Sequence, residues 1–188
     1  YAVEHGRGVS RSIGPRPAFN KAVDIGNHVM LDQERCIQCS RCIRFCDEVT
    51  KTGELGFFER GERSQIGIFP GRRLDNPYSG NVVDLCPVGA LTHKEFRFKT
   101  RVWYVKNTST ICAGCARGCN VNLGINEDRI WRMTPRDNDA VNQSWICDEG
   151  RLSYQTYQQS ERLGRALGSA AAVGAGCVAG ALLLSGAA

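Results

Sequence analysis

The chain has 188 residues, 10 of them cysteine, and its 24 Lys and Arg against 19 Asp and Glu give a formal net charge of +5. The cysteines are clustered, often with only two residues between them, which argues against a disulfide scaffold and indicates reduced thiols in an intracellular compartment. Large aliphatic residues are sparse for this length, so we expect bound metal to supply part of the stability of the fold.

Four segments follow one another along the chain. Residues 1–28 are polar, contain scattered Gly, Pro and Arg, and are interpreted as an extended connector. Residues 29–99 contain the first cysteine run, residues 100–160 contain the second, and residues 161–188 are a tail rich in Ala and Gly. Because the chain begins at Tyr1, without an initiator Met or a signal peptide, we expect a fragment or a trimmed chain.

The first cysteine run, RCIQCSRCIRFCDE at residues 35–48, contains Cys36, Cys39, Cys42 and Cys46. A C-x2-C-x2-C run lets one tight loop wrap an iron–sulfur cubane while backbone N–H groups point at its sulfurs. Structural zinc sites usually pair two separate C-x2-C knuckles, so zinc is the weaker interpretation. The run therefore predicts a 4Fe-4S cluster with one further ligand.

Cys86 is the predicted fourth ligand. In two-cluster ferredoxins the last cysteine of C-x2-C-x2-C-x3-C-P binds the other cluster, and Cys46 has this spacing but lacks the proline that follows Cys86. The positions at which a second complete motif would need cysteines are Asn76, Ser79 and Val82. Only one cluster can therefore form, and Cys46 is predicted to be a buried thiol without a metal. The predicted ligands are Cys36, Cys39, Cys42 and Cys86.

The second cysteine run, ICAGCARGCN, has the spacing C-x2-C-x3-C, and a fourth cysteine follows in WICDEGR. Small residues between the cysteines let backbone amides approach a bound cluster, so we expect a second cubane, although zinc is a stronger rival here than at the first run. Two cubanes of about −2 each, thiolates included, would lower the net charge to about +1, which weakens any nucleic-acid interpretation. The predicted ligands are Cys112, Cys115, Cys119 and Cys147.

Other elements are predicted around the second run. TRVWYVKNT at residues 100–108 alternates in polarity and predicts a strand. NVNLGI and RIWRMT flank NED and predict a β-hairpin. Residues from about 151 to 165 are polar and predict a partly helical segment.

Few other side chains suggest chemistry. Trp145 and Trp131 could each shield the second cluster from water or be simple core residues, and the core interpretation is favoured for Trp131. His5, His28 and His93 are isolated in the sequence, which favours surface or packing roles. The sequence contains no Ser–His–Asp arrangement and no Walker or Rossmann fingerprint.

The segment ALGSAAAVGAGCVAGALLLSGAA at residues 166–188 carries no charge over 23 residues, which is long enough to span a bilayer. However, 14 of these residues are Ala or Gly and only six are Leu or Val, so the drive for insertion is marginal. We interpret the segment as the buried start of a further domain, with Cys177 as a core residue.

Four stretches make the chain resemble the large iron–sulfur subunit of respiratory complex I, which in bacteria is the G subunit of NADH-quinone oxidoreductase. They are RCIQCSRCIRFCDE, YSGNVVDLCPVGALT, CAGCARGCN and WICDEGR, and the resemblance runs from about residue 1 to 160. The two-iron ferredoxin domain and the His-x3-Cys-x2-Cys-x5-Cys segment of that family, and most of its large C-terminal domain, have no counterpart here. The implied fold is α+β, with a degenerate ferredoxin-like 4Fe-4S unit followed by a small β-rich 4Fe-4S domain of the molybdopterin-oxidoreductase type.

The resemblance implies an electron-relay subunit that carries electrons from NADH toward quinone and has no catalytic acid, base or nucleophile of its own. The first cluster would relay electrons between neighbouring clusters, and the second would be the extra cubane that many bacterial members carry off the main path. Because mitochondrial members have generally lost those second ligands, a bacterial protein is implied.

The implied partners are the flavin- and NADH-binding subunit and the downstream iron–sulfur subunits of the peripheral arm. Contact with the membrane would then be indirect, at the cytoplasmic side of a bacterial inner membrane. Three alternatives stay open: the equivalent region of an NAD-linked formate dehydrogenase or hydrogenase, a zinc-binding interaction module, and an assembly domain whose second cubane is redox-silent.

Overall fold

The computed structural model describes residues 1–9, 11, 14–15 and 17–158. Tyr1–Tyr154 form one compact unit, and Gln155–Ala188 are assigned to a second one. Within the described residues no helix is both long and apolar enough to cross a membrane. The predictions made for residues 166–188 lie outside the described part of the chain.

Short elements joined by long loops make up the first part of the compact unit. The helices are α1 (Ala2–His5), α2 (Arg41–Arg44) and α3 (Asn81–Leu85). The strands are β1 (Val23–Asp24), β2 (Val29–Leu31), β3 (Leu55–Phe58), β4 (Gln65–Ile68) and β5 (Leu91–His93). Helix α2 continues directly into a π-helical turn, Phe45–Val49.

Strand β2 lies between β1 and β5 in an antiparallel sheet, and β3 pairs with β4 in a separate antiparallel hairpin. The end of the N-terminal connector is therefore part of the first sheet through β1. Gly26 forms a parallel bridge with Leu74, and a Cβ at residue 26 would run into the Leu74 carbonyl. Only glycine allows the two backbones to approach this closely.

A core of fully buried residues lies under these elements. Apolar side chains from the sheet and its flanking loops meet side chains from α3 and the π-helical turn. The largest members are Ile25, Leu31, Phe45, Leu55 and Leu74. This core directly adjoins the first cysteine run, since Cys42 and Cys46 belong to it.

The second part of the compact unit is a three-stranded antiparallel sheet with a short helix. Its strands are β6 (Lys106–Ile111), β7 (Asn120–Asn126) and β8 (Arg129–Pro135), with β7 in the middle. Glu127 and Asp128 connect β7 to β8 with φ angles of 50° and 55°, which is the geometry of a tight hairpin turn. The predicted hairpin is confirmed.

The predicted strand over residues 100–108 is only partly correct. Val102–Tyr104 form a 3-10 turn, and the strand begins at Lys106. Lys106 pairs with Ile125 at the end of β7, so the residues before it have no strand to pair with. After the sheet come α4 (Asp148–Leu152) and α5 (Tyr154–Tyr157), which agree with the partly helical segment predicted from residue 151 onward. The predicted α+β fold is confirmed.

Candidate metal centres

The first cysteine run forms a loop that turns through left-handed backbone conformations. Gln38 and Ser40 have φ angles of 54° and 61°, and this winding lets the loop curl back on itself. Cys36 ends a 3-10 turn, Gln33–Arg35, whereas Cys42 is buried within α2. The Gln38 backbone N–H donates to the Cys36 Sγ at 3.4 Å, which is the kind of N–H···S contact that cluster-binding loops use.

Cys86 closes this set from a distant part of the chain. It directly follows α3, where its N–H donates to the Val83 carbonyl at 3.2 Å. The Leu91 N–H donates to the Cys86 Sγ at 3.5 Å. All four predicted ligands of the first set line one small apolar cavity together with Leu31 and Ile66.

Electrostatics also indicates that these four thiols converge. Burial raises the pKa of Cys36, and the neighbouring Cys86 and Cys39 raise it further. Burial raises the pKa of Cys42 to about 11, with added repulsion from Cys36 and Cys39. Thiols that raise one another's pKa lie in one neighbourhood, and a positive charge placed between them would reverse these shifts.

Cys46 is separate from this set. It is 0% exposed, and burial raises the pKa of its thiol to about 12, with repulsion from Glu54 as the next cause. It is absent from the walls of the cavity that the four other cysteines share. The predicted burial is confirmed, and the absence of a metal on this thiol stays a prediction.

The second cysteine run is the connection between β6 and β7. The Cys112 N–H donates to the Cys119 carbonyl at 2.8 Å, so the two ends of the loop are held together and both cysteines are buried. Gly118 has a φ of 63°, which favours glycine. Cys115 lies exposed on the loop between them.

Cys147 closes the second set at the start of α4. Its Sγ accepts the Gly150 N–H at 3.3 Å. A Cβ at residue 150 would lie 3.1 Å from the Cys112 Sγ and 3.2 Å from the Cys147 Sγ, so glycine lets both thiols approach the same point. The pKa of Cys119 is raised by burial and also by Cys112, Cys115 and Cys147, which places all four thiols in one neighbourhood.

A cavity of about 270 Å³ adjoins the second set. It is lined by Cys115, Cys119 and Cys147 and by Trp145. The Trp145 ring packs on Phe45 of the first core, with ring centroids 4.8 Å apart. This position agrees with the predicted shielding role of Trp145.

The donor sets fit iron–sulfur chemistry, because each gathers four soft thiol donors with backbone N–H groups aimed at sulfur. All nine cysteines among the described residues are free thiols. In the same residues, no group of three or more His, Cys, Asp or Glu side chains is arranged to hold a single metal ion. The assignment of individual ligands stays a prediction.

Of the predictions about other side chains, the one for Trp131 needs correction and the one for two histidines is confirmed. Trp131 is not a simple core residue, since it lines a cavity of about 370 Å³ and the Arg129 guanidinium lies 4.7 Å above its ring. The packing role predicted for His28 and His93 is confirmed, because their rings stack with centroids 5.8 Å apart. Burial and the charge of Arg151 lower the pKa of His93 to about 4, so this imidazole is neutral at physiological pH.

A buried polar network beside both sets was not predicted from the sequence. Asp148 and Arg151 occur in WICDEGR without any pattern that assigns them a role, although each is at least nine-tenths buried. The partners that their side chains have in residues 79–84 are 67 to 70 residues away along the chain. Local spacing therefore carries no signal for this network.

Models of two protein families match parts of the chain. Residues 26–92 match the ferredoxin-like domain of NADH-quinone oxidoreductase subunit 3. Residues 105–159 match the Fe4S4 domain of molybdopterin oxidoreductases. The predicted order, a ferredoxin-like unit followed by a molybdopterin-type cluster domain, is confirmed, whereas the domain boundaries at residues 28, 99 and 160 stay predictions.

Relatives with established names align with most of the chain. The NADH-quinone oxidoreductase G subunit of Streptomyces coelicolor is 35% identical over 162 residues, or 86% of this chain and 19% of the relative. The same subunit of Rickettsia conorii is 36% identical over 86% of this chain and 24% of the relative. The mitochondrial NADH-ubiquinone oxidoreductase 78 kDa subunit of Candida albicans is 40% identical over 81% and 21%. The chain thus spans about a fifth of the length of these relatives.

Proposed function

We propose that the chain, which contains iron–sulfur domains of the type found in the G subunit of NADH-quinone oxidoreductase, relays electrons from NADH toward quinone through two 4Fe-4S clusters. The matches support iron–sulfur domains within part of an oxidoreductase subunit, and the family implies electron transfer. The number of clusters, their ligands and their place in the path are our proposal.

The observation that carries this proposal is the convergence of two separate four-cysteine sets, one in each matched domain. Cys36, Cys39, Cys42 and Cys86 would hold the first cluster. Cys112, Cys115, Cys119 and Cys147 would hold the second. When bound, such a cluster supplies one-electron chemistry at a potential tuned by burial and N–H···S bonds.

The residues around the two sets bind and insulate rather than transfer protons. The backbone N–H groups of Gln38, Leu91 and Gly150 donate to ligand sulfurs. Apolar side chains exclude water from the first set, and Trp145 covers one side of the second. We assign no catalytic acid, base or nucleophile to the chain, because the cofactors carry the chemistry.

The proposed partners are the flavin- and NADH-binding subunit and downstream iron–sulfur subunits of a peripheral arm, with only indirect contact with the membrane. We propose a bacterial location at the cytoplasmic side of the inner membrane. In this arrangement the first cluster lies on the main electron path and the second lies beside it.

Low-temperature EPR on the assembled complex tests the relay. The complex is mixed anaerobically with NADH and frozen, and a parallel sample is reduced with dithionite. We expect NADH to produce a 4Fe-4S signal that Cys86→Ser abolishes and that added quinone removes by reoxidation. Reduction of both clusters by dithionite but of neither by NADH would reject the relay.

A second function is favoured by one observation, the match of residues 105–159 to a domain described for molybdopterin oxidoreductases. The chain would then be the electron-transfer region of an NAD-linked formate dehydrogenase. Co-purification with a molybdenum-containing subunit would support this function, whereas co-purification with membrane subunits would support the quinone-linked complex.

A further inference from the structure

We propose that Asp148 and Arg151, which lie in the domain of the second cysteine set, are positioning residues for Cys86 in the first set. This inference rests on the proposed function for the cluster that Cys86 would bind. The contact network itself does not depend on any bound metal. It consists of buried hydrogen bonds between the segment at residues 77–84 and helix α4.

Asp148 holds the start of this segment. Its carboxylate is 6% exposed and accepts the Ser79 hydroxyl at 2.6 Å and the Gly80 N–H at 2.8 Å. Its own backbone N–H donates to the Pro77 carbonyl at 2.8 Å. Three hydrogen bonds thus join one residue of α4 to three residues that precede α3.

Arg151 holds α3 itself. Its side chain is 5% exposed, and its Nη2 donates to the Asn81 Oδ1 at 3.1 Å and to the Asp84 Oδ2 at 2.7 Å. Its Nη1 donates to the Met133 carbonyl at 3.3 Å. Asn81 and Asp84 are three residues apart and therefore lie on the same face of α3. One guanidinium thus joins that face to strand β8 by hydrogen bonds.

Asn81 completes the connection between the domains. It is fully buried, donates to the Ile146 carbonyl at 2.8 Å and accepts the Ile146 N–H at 3.2 Å. Ile146 immediately precedes Cys147. The same network therefore touches the chain next to the closing cysteine of the second set and two residues before the closing cysteine of the first.

Because α3 is short, these contacts determine its orientation and therefore the position of Cys86. The helix has five residues, too few for its own hydrogen bonds to fix its orientation, and Cys86 follows its last residue. Burial of Val82 in the first core and the contacts of Asn81 and Asp84 hold the helix from two sides. A rotation of α3 would carry the Cys86 thiol away from the cavity of the first set.

Gly80 shows how tightly the network is packed. A Cβ at this residue would lie 2.7 Å from the Arg151 Nε and 2.8 Å from the Asp148 Oδ1. Any side chain there would force the carboxylate and the guanidinium apart. Gly80→Ala thus disturbs the network sterically, without a change of charge.

The test uses the full chain with its metal and compares Asp148→Asn with Glu149→Gln, an exposed neighbour on the same helical turn. We expect Asp148→Asn to change the g-values or the reduction potential of the EPR signal that Cys86→Ser abolishes, and Glu149→Gln to leave that signal unchanged. An unaltered signal in both Asp148→Asn and Arg151→Lys would overturn the proposal.

Amide hydrogen exchange of the same purified chains separates this inference from the proposed function. Loss of a buried hydrogen bond to a charged group should speed exchange at residues 83–91 about tenfold or more in Asp148→Asn. Unchanged exchange in an iron-loaded chain would overturn the positioning role alone. Faster exchange in a chain without iron would support the network while rejecting the cluster. If Asp148→Asn does not accumulate, Gly80→Ala and Arg151→Lys carry both measurements.

Discussion

Both cysteine sets consist of four thiols, but the buried residues around them differ in number. The first lies against a core of twelve buried residues, which includes its own cysteine Cys42. The second lies against a smaller group of six buried residues at one end of a three-stranded sheet, and one of its cysteines, Cys115, is exposed. The first set thus lies against the larger core, whereas the second combines two buried cysteines, Cys112 and Cys119, with an exposed one on the loop between them.

Their closing cysteines differ in the same way. Cys86 follows a short helix, and its position depends on contacts that other segments make with that helix. Cys147 begins a short helix, and the Gly150 N–H of that helix donates to its sulfur. The comparison teaches that a distant cysteine can accept an N–H from another element, as Cys86 does from Leu91 in β5, or from its own helix, as Cys147 does from Gly150.

Replacement of a single cysteine should have the largest effect, which is on the bound iron. Cys42→Ser is expected to remove the first cluster and about half of the bound iron, because a cubane needs four ligands. Cys46→Ala is the matched control, since this thiol is also buried but lies outside the set. Iron analysis and EPR measure the effect. Equal iron loss in both variants would show that Cys46 is a ligand and that the first set is wrongly drawn.

Packing should matter next. Leu74→Ala in the first core removes a side chain that is 0% exposed and is expected to lower the free energy of unfolding by about 2–5 kcal/mol. Ile111→Ala in β6 removes a side chain that is 62% exposed and should change it by less than about 0.5 kcal/mol. Denaturant titration measures both variants. Similar losses would contradict the burial of Leu74 as a source of stability in the first core.

The stacked histidines predict a smaller, pH-dependent effect on the first region. The folded pKa of His93, about 4, lies below its unfolded value, so the unfolded chain takes up the proton first. The contribution of His93 to the free energy of unfolding is fully present above about pH 6.5, and it falls by up to about 3 kcal/mol as the pH drops to 4. Unfolding of wild type and His93→Gln should therefore differ in slope between these pH values. Parallel slopes would show that the burial of the imidazole carries no such cost.

Replacement of a glycine should have the smallest effect, and only the second cysteine set should be affected. Gly150→Ala places a Cβ 3.1 Å from the Cys112 Sγ and 3.2 Å from the Cys147 Sγ, so we expect partial loss of the second cluster and about 1 kcal/mol of stability. Gly114→Ala is the control, because its Cβ would lie 3.6 Å from the Cys112 Sγ, an ordinary contact. Loss of the first EPR signal in Gly150→Ala would contradict the separation of the two sites.

The spacing of the cysteines predicted the two cysteine runs, and local patterning predicted the hairpin between Cys119 and Cys147, because these features depend on residues that are close in sequence. The strand predicted at residues 100–108 began too early, since its extent depends on where β7 ends and not on its own alternation. The stacking of His28 on His93 follows from the pairing of β2 with β5, which no local pattern encodes.

The network of Asp148 and Arg151 was invisible for the same reason. The hydrogen bonds that the two side chains make with residues 79–84 join positions 67 to 70 residues apart, and charged residues in a helical turn usually lie in solvent. Their burial becomes apparent only once α3 and α4 are placed side by side.

One measurement tests the central claim most directly, an anaerobic count of iron and acid-labile sulfide on the purified chain, with zinc determined in parallel. Two cubanes predict about eight iron and eight sulfide per chain. A count near four of each would leave one set empty, and Cys86→Ser against Cys147→Ser would show which. Zinc without sulfide would contradict electron transfer and leave a structural metal-binding module.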